Sequence, residues 1–397
     1  MRILVVGTGG VGGAVAAVAA RRDFFERVTL ADLDPARPER LVASLADERF
    51  AAVAVDASSE ESLLRLIRET RADAVLNATD PRFNPQIFAA AFTAGVTYLD
   101  MAMTLSGPGV RLGDLQFAQH ERWAEQGLLA LVGIGVEPGL SDVFARYAAD
   151  QLFTTIDEVA VRDGANLVVD GYDFAPTFSI WTTIEECLNP PLIWEKERGF
   201  YTTEPFSEPE LFEFPQGIGT IECVNVEHEE VVLVPRAIDC NRVTFKSGLG
   251  SEFINVLQTL HKLGLDSTEP VRVRGVEVAP RDLLAAALPD PATLGNQMHG
   301  KTCAGTLITG TRTNGDYGAV YLYHITDNEQ TMREYGHQAV VLQTALNPVV
   351  ALELLADGTW SGVGVLGPEA FPAEPFLHLL TDYGQPHGII EEDPRTA

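Results

Sequence analysis

The chemistry in this sequence is concentrated in one glycine-rich stretch and a few acidic residues. Residues 7–12 read GTGGVG, directly after the apolar run RILVV and at the start of an alanine-rich segment with helical spacing. Gly7 permits a tight turn, Gly9 lets backbone approach a pyrophosphate, and Gly12 lets a helix pack on a strand. Thr8, Gly10 and Val11 complete the loop, whose free N–H groups and helix dipole favour a phosphate. Asp32 ends the next predicted strand, about 20 residues on, where a carboxylate takes ribose hydroxyls. Together they predict a dinucleotide site. A carboxylate at 32 repels a 2′-phosphate and favours NAD, whereas Arg37 and Arg40 would serve the phosphate of NADP or merely begin a solvated helix.

In an open α/β sheet the ligand lies beyond the carboxyl ends of the strands. Asp56 and Ala57 are therefore expected near the adenine, and Asn77, Ala78 and Thr79 along the path to the nicotinamide. Three segments, NATDP (77–81), YLDMA (98–102) and GVEPGLSD (135–142), reach the same edge. Pro138 and Gly139 shape the last as a turn facing the cofactor. Asp100 and Glu137 are candidate catalytic groups, and Asp80 and Met101 candidate substrate contacts, because acids at that edge suit a protonated amine. A helix cap or structural acceptor is the alternative for Asp100 and Asp142.

Farther along, Trp181 and Thr182 open a predicted helix, where an aromatic would cover an aliphatic ligand chain or pack in a core. His228, among Glu227, Glu229 and Glu230, is a candidate general acid, since those neighbours raise its pKa; an exposed loop histidine is the alternative. Asn225 joins it as a substrate contact. Metal-ligand spacing, a Ser-His-Asp order and a second phosphate loop are all missing from the sequence, so no metal is expected.

These residues need elements to carry them. Residues 1–100 alternate strand and helix with short connections, which predicts a doubly wound parallel sheet. From about 130 the rhythm changes to β-rich segments, DEVAVRDG, GIGTIECVNVE, EVVLVPR, NRVTFKSG, VRVRGVEVAP, CAGTLITGTRTNG and AVYLYHIT, interleaved with helices. The expected architecture is α/β: a Rossmann-type domain over 1–130 and 338–397, and a second α+β domain with a mixed sheet over 131–337. The helical stretch after His337 returns to the first domain, and the polar tail EEDPRTA is expected to fray.

Composition sets outer bounds. The 397 residues carry 56 acidic against 28 basic side chains, a formal charge of -28. That argues against a nucleic-acid partner and would draw cationic small molecules; a generally acidic, soluble surface is the plainer reading, and the charge alone decides nothing. The longest apolar run, Gly127–Val136, is far short of the roughly 20 residues of a membrane span. Four scattered cysteines suggest a reducing, cytoplasmic compartment.

The sequence resembles the saccharopine dehydrogenase family, in its saccharopine reductase and carboxynorspermidine dehydrogenase branch. The likeness rests on GTGGVG, NATDP, YLDMA, GVEPGLSD and the return segment QAVVLQTALNPVVALELLADGTWSGVGVLGPEAF. It implies a Rossmann domain closed by the C-terminal segment, a central α/β domain and a homodimer. It also implies NAD(P)H reduction of an imine between a semialdehyde and an amine, with carboxyaminopropylagmatine formation among the related reactions. CVNVEHEEVVLVPR stands where saccharopine reductases carry a YPNRDS-like segment, which points to a polyamine-type substrate rather than saccharopine. Saccharopine or lysine 6-dehydrogenase activity, and a dinucleotide-binding sensor without catalysis, are the competing readings.

Overall fold

The computed structural model describes residues 1–396, with Thr396 described in its backbone only. Ala397, the last residue of the expected first domain, lies outside the described residues. Two compact units divide the chain: Met1–Leu152, Val232–Ile238 and Val341–His387 form one, and Phe153–Val231, Asp239–Val340 and the segment from Gly388 form the other.

The first unit is built on a seven-stranded, all-parallel sheet. Its strands are β1 (Arg2–Val6), β2 (Arg27–Asp32), β3 (Phe50–Ala54), β4 (Ala74–Asn77), β5 (Thr97–Asp100), β6 (Leu129–Leu131) and the late strand Gly364–Leu366. The order is Gly364–Leu366, β6, β5, β4, β1, β2, β3, so the winding reverses between β4 and β1. Ile3, Leu4, Val5 and Val6 are all buried, as a strand with both faces covered requires. Val6 pairs with Ala31 on one side and Asn77 on the other, and Asn77 pairs with Asp100. That register brings the glycine loop, Asp32, Asn77 and Asp100 out at one edge. The apolar helix Ala339–Ala356 is long enough to cross a membrane by length and composition, yet 78% of it is buried in the protein. Leu342, Leu346, Val349 and Val350 are among its fully enclosed side chains.

The second unit holds a mixed, ten-stranded sheet. Its order is Gly388–Ile390, Tyr317–Asp327, Lys301–Arg312, β7 (Phe153–Ala165), Cys240–Gly248, Gly219–Asn225, Glu210–Phe214 and Arg395–Thr396. The hairpin Leu192–Glu195 and Gly199–Thr202 branches from Cys240–Gly248. Side chains alternate across a strand. Asp163 lies opposite Ser247 and Val161 opposite Phe245 on one face, while Arg162 lies opposite Lys246 on the other. The second face encloses a small core of Ala160, Phe212, Cys223, Leu307 and Tyr321. Phe212 and Tyr321 come from strands far apart in the order, yet their rings meet at 4.9 Å. The sheet therefore curls on itself.

Three expectations change here. EVVLVPR, expected as a strand, is the helix Glu230–Ala237. Val231, Val232, Leu233 and Val234 are all fully buried, and a short run enclosed on every side has no periodicity to separate helix from strand. The described part of the tail is paired rather than frayed: Gly388–Ile390 pairs with Tyr321–Tyr323 and Arg395 pairs with Phe212. Glu213 N donates to Pro394 O at 3.0 Å, and Arg395 NH1 reaches Glu158 at 2.8 Å. Backbone pairing is indifferent to the polarity of the tail's side chains. The unit boundaries also fall elsewhere than expected, after Leu152 instead of 130, because helix Leu140–Tyr147 packs on the turn Pro368–Ala370, and before Gly388, because the tail pairs with the second sheet.

Candidate active site

The glycine loop fits a dinucleotide. Gly7 has φ +96°, and a Cβ there would lie 2.5 Å from the Ala78 carbonyl oxygen. A Cβ on Gly12 would overlap the Gly7 carbonyl, whereas the space beside Gly9 is open to 4 Å. That opening is where a pyrophosphate can approach bare backbone. Helix Gly10–Ala19 starts at Gly9 with no side-chain cap and no acid in its first turn, so its leading N–H groups are available to an anion.

Asp32 Oδ2 accepts from Thr8 N at 2.8 Å and Thr8 Oγ1 at 2.9 Å, and Oδ1 from Asp34 N at 3.1 Å. Partial burial opposes ionisation, but these hydrogen bonds outweigh it and hold the carboxyl below its ordinary pKa. It is thus a fixed negative charge beside the loop, and Oδ1 retains a lone pair for a ribose hydroxyl. Asp56 is exposed and holds Ser58 N at 2.9 Å, beside Ala57. Asn77 Oδ1 takes Thr79 N at 3.0 Å, while its Nδ2 donates to Asn84 Oδ1 at 2.6 Å. Asn77 thereby sets the turn that presses Ala78 against Gly7.

The acids at this edge divide by task. Asp100 is 1% exposed and accepts from Gly133 N at 2.7 Å and Gln116 Nε2 at 2.6 Å. It ties the exit of β5 to the exit of β6, the work of a structural acceptor rather than of a group meeting substrate. Asp142 likewise caps its helix, taking Gly139 N at 2.9 Å. Asp80 caps the turn Pro81–Phe83 and pairs with Arg82 at 2.9 Å. Glu137 and Met101 are half-buried. Glu137 precedes a cis peptide to Pro138, and Gly139 at φ +134° packs where a Cβ would overlap Gly135. The sequence reading gave Glu369 no role. It follows strand Gly364–Leu366 at the same edge, and burial pushes it up to about 7 against the pull of Arg236 and Arg146.

A second constellation forms inside the second unit. His228 Nδ1 meets Glu230 Oε2 at 2.5 Å and Glu229 Oε2 at 3.5 Å. Its ring stacks on Phe245 at 3.8 Å and 7°. Burial alone would strip its proton, but Glu230, then Glu229 and Glu186, outweigh burial and hold its pKa well above the ordinary value. Helix Ile180–Leu188, capped by Ser179, buries Ile180, Ile184 and Cys187 and carries Glu186. Glu227 N donates to Glu186 O at 2.9 Å, joining helix to loop. Burial pushes Glu186 up to about 8, His228 pulling the other way. Asp163 accepts from Ser247 Oγ at 3.1 Å, and burial pushes it up to about 6. Asp163, Glu186, Glu229 and Glu230 thus surround one buried imidazole that keeps its proton, a cluster that favours positive charge and can supply a proton. Ligand atoms of His228, Glu229 and Glu230 lie within 4.8 Å of one another, but the hydrogen bond already spends two of those atoms on each other.

The other candidates make contacts of their own. Asn225 pairs opposite Lys246, which puts it on the face away from Phe245; its Nδ2 donates to Ser207 Oγ at 3.2 Å. Trp181 donates Nε1 to Asp282 at 3.2 Å and lies under Arg281. Thr182 bonds the Ser179 cap at 3.1 Å. Asn225 and Trp181 are tied to neighbouring elements and Thr182 to the cap of its own helix. Glu186, Asp163 and Phe245 were missed in the sequence because they belong to separate elements; the visible signal was only the charge around His228.

Comparison with known proteins places this geometry. Residues 3–131 match the saccharopine dehydrogenase NADP binding domain, and residues 135–385 the saccharopine dehydrogenase C-terminal domain. The chain is 32% identical to carboxynorspermidine synthase of Vibrio alginolyticus over 410 residues, covering 99% of this chain and 98% of that protein. It is 28% identical to carboxyaminopropylagmatine dehydrogenase of a Synechocystis species, covering 98% of each. Two solved structures share the fold. Saccharopine dehydrogenase (L-Glu forming) of Saccharomyces cerevisiae has a TM-score of 0.71 at 14% identity, covering 98% of this chain and 99% of that one. Homospermidine synthase of Legionella pneumophila, in complex with NAD, has a TM-score of 0.69 at 14% identity, covering 99% and 91%. Both domain matches and a relative alike from end to end carry one conclusion: the chain belongs to the saccharopine dehydrogenase family.

Proposed function

We propose that this chain is an NAD(P)-dependent oxidoreductase that reduces the imine formed between a semialdehyde, such as aspartate semialdehyde, and an amine or diamine. The product is a carboxylated polyamine-type secondary amine. The observation that carries the reading is the buried cluster of Asp163, Glu186, Glu229 and Glu230 around His228. The names of its carboxynorspermidine and carboxyaminopropylagmatine relatives support it.

Bound at the glycine loop, a reduced nicotinamide supplies a hydride to the imine carbon. The chain's own residues do the rest. Gly7–Gly12 and the leading N–H groups of their helix hold the pyrophosphate, and Asp32 takes the adenosine ribose and disfavours a 2′-phosphate. The carboxylates of the cluster hold a protonated amine in place, and His228 gives a proton to the nitrogen as C=N becomes CH–NH. Glu137 is a further contact for the amine at the edge of the first unit. A cytoplasmic location is supported by four free, buried cysteines, Cys187, Cys223, Cys240 and Cys303; a homodimer is the family expectation.

The test mixes purified protein with NADH or NADPH, aspartate semialdehyde, and putrescine, diaminopropane, agmatine, lysine or ammonia, reading products by mass spectrometry. Amine-dependent oxidation is expected, with NADH preferred about tenfold, the equivalent of roughly 1.4 kcal/mol. In Asp32→Ala that preference narrows. No amine-dependent turnover with either cofactor overturns the proposal.

A further inference from the structure

The sheet of the second unit has a second polar surface, on the face turned away from Phe245 and Ser247. A cavity of about 660 Å³ opens there, and its charged lining holds four bases and four acids. At one wall Arg162, 1% exposed, and Lys246, 6% exposed, share the single carboxylate of Glu210, which Lys246 meets at 2.8 Å. An ammonium has three donors. Among the described residues Glu210 is the only hydrogen-bond partner of Lys246, so two N–H groups of a buried cation remain unspent. A buried donor left unmet is costly, and two cations on one carboxylate leave that wall positive. Asp157 lines the same cavity; its Oδ1 accepts from Asn241 Nδ2 at 3.0 Å, and its other oxygen takes no hydrogen bond from the described residues.

We propose that this cavity binds a small zwitterion of the amino-acid type, its carboxylate on Lys246 and Arg162 and its ammonium on Asp157. A simple anion would leave the acidic wall unmatched, and a diamine would face Lys246 and Arg162. The site stands independently of the imine-reducing activity. It lies on the same two strands as Asp163 and Phe245 of the His228 cluster, since Arg162 adjoins Asp163 and Lys246 adjoins Phe245.

Calorimetric titration of the full chain tests this with glycine, L-aspartate, L-glutamate and L-lysine. Glutarate serves as an anion without the ammonium and 1,5-diaminopentane as a cation without the carboxylate. At least one amino acid is expected to bind saturably, about tenfold or more tighter than glutarate or the diamine. Lys246→Met should weaken it by about tenfold or more. Asp157→Asn keeps the bond to Asn241, so it should weaken the amino acid while leaving glutarate unchanged, and it decides the matter if Lys246→Met does not fold. The absence of saturable amino-acid binding overturns the assignment, as does binding that survives both substitutions.

Discussion

Glu230 sets the proton on His228. It makes the 2.5 Å contact and is the largest influence holding the ring's proton against burial. The folded protein therefore keeps His228 charged above the pH at which a free histidine loses its proton. Proton donation should persist through neutral pH and fail only on the alkaline side. Glu230→Gln keeps a hydrogen-bonding side chain but removes the charge, so the alkaline limb of kcat/KM should move to lower pH by roughly one unit. A pH–rate profile of the two proteins checks this, and superimposable limbs would remove His228 from the role. Much of the first unit's site was legible because phosphate binding demands bare backbone, and GTGGVG with Asp32 displays that demand directly. Asp100 was legible as an acid at the right edge, either catalytic or a structural acceptor, and the choice stayed open because the donors that consume it, Gly133 N and Gln116 Nε2, come from other segments. The partners of His228 were half legible: Glu229 and Glu230 adjoin it, while Asp163 and Glu186 reach it only through the fold.

Among the elements, the closing tail bears most on stability. Residues 391–394 alone connect the strand at one edge of the ten-stranded order to the strand at the other, and five Cα steps span at most about 18 Å. The tail thus bridges the two margins of the curled sheet. Arg395 joins Asp393 to Glu158 of β7, in a partly exposed position. Arg395→Ala should cost about 1 kcal/mol in urea unfolding. Deletion of residues 391–397 should cost more, because it also removes the cover of Glu210–Phe214; equal midpoints for the two variants would contradict the clasp. This element was misread because a polar, proline-containing tail carries no hydrophobic alternation, and its pairing is with backbone. EVVLVPR was misread for the opposite reason, an apolar run buried on every side. The strands of the first sheet were easier, since each is a short apolar run bounded by turn residues.

For the molecule as a whole, the excess of 28 negative charges is a field acting on substrates of opposite sign. A protonated diamine is drawn toward the protein, and a dinucleotide is not. Raising NaCl from about 0.05 to about 0.5 M shortens the screening length severalfold. The KM for a diamine should then rise several-fold while that for NADH stays level or falls. Steady-state kinetics at the two salt concentrations distinguish this from a general salt effect, in which both would rise together.

The late strand Gly364–Leu366 and the tail strands at Gly388 and Arg395 have a consequence for biosynthesis. A nascent chain that stops short of residue 364 lacks the last member of its parallel sheet, and the curled sheet stays open until residue 396 has been made. Neither unit can finish while the ribosome is still working through the middle of the message. Their half-built margins, with unpaired N–H and C=O groups, are the places where a chaperone would be needed.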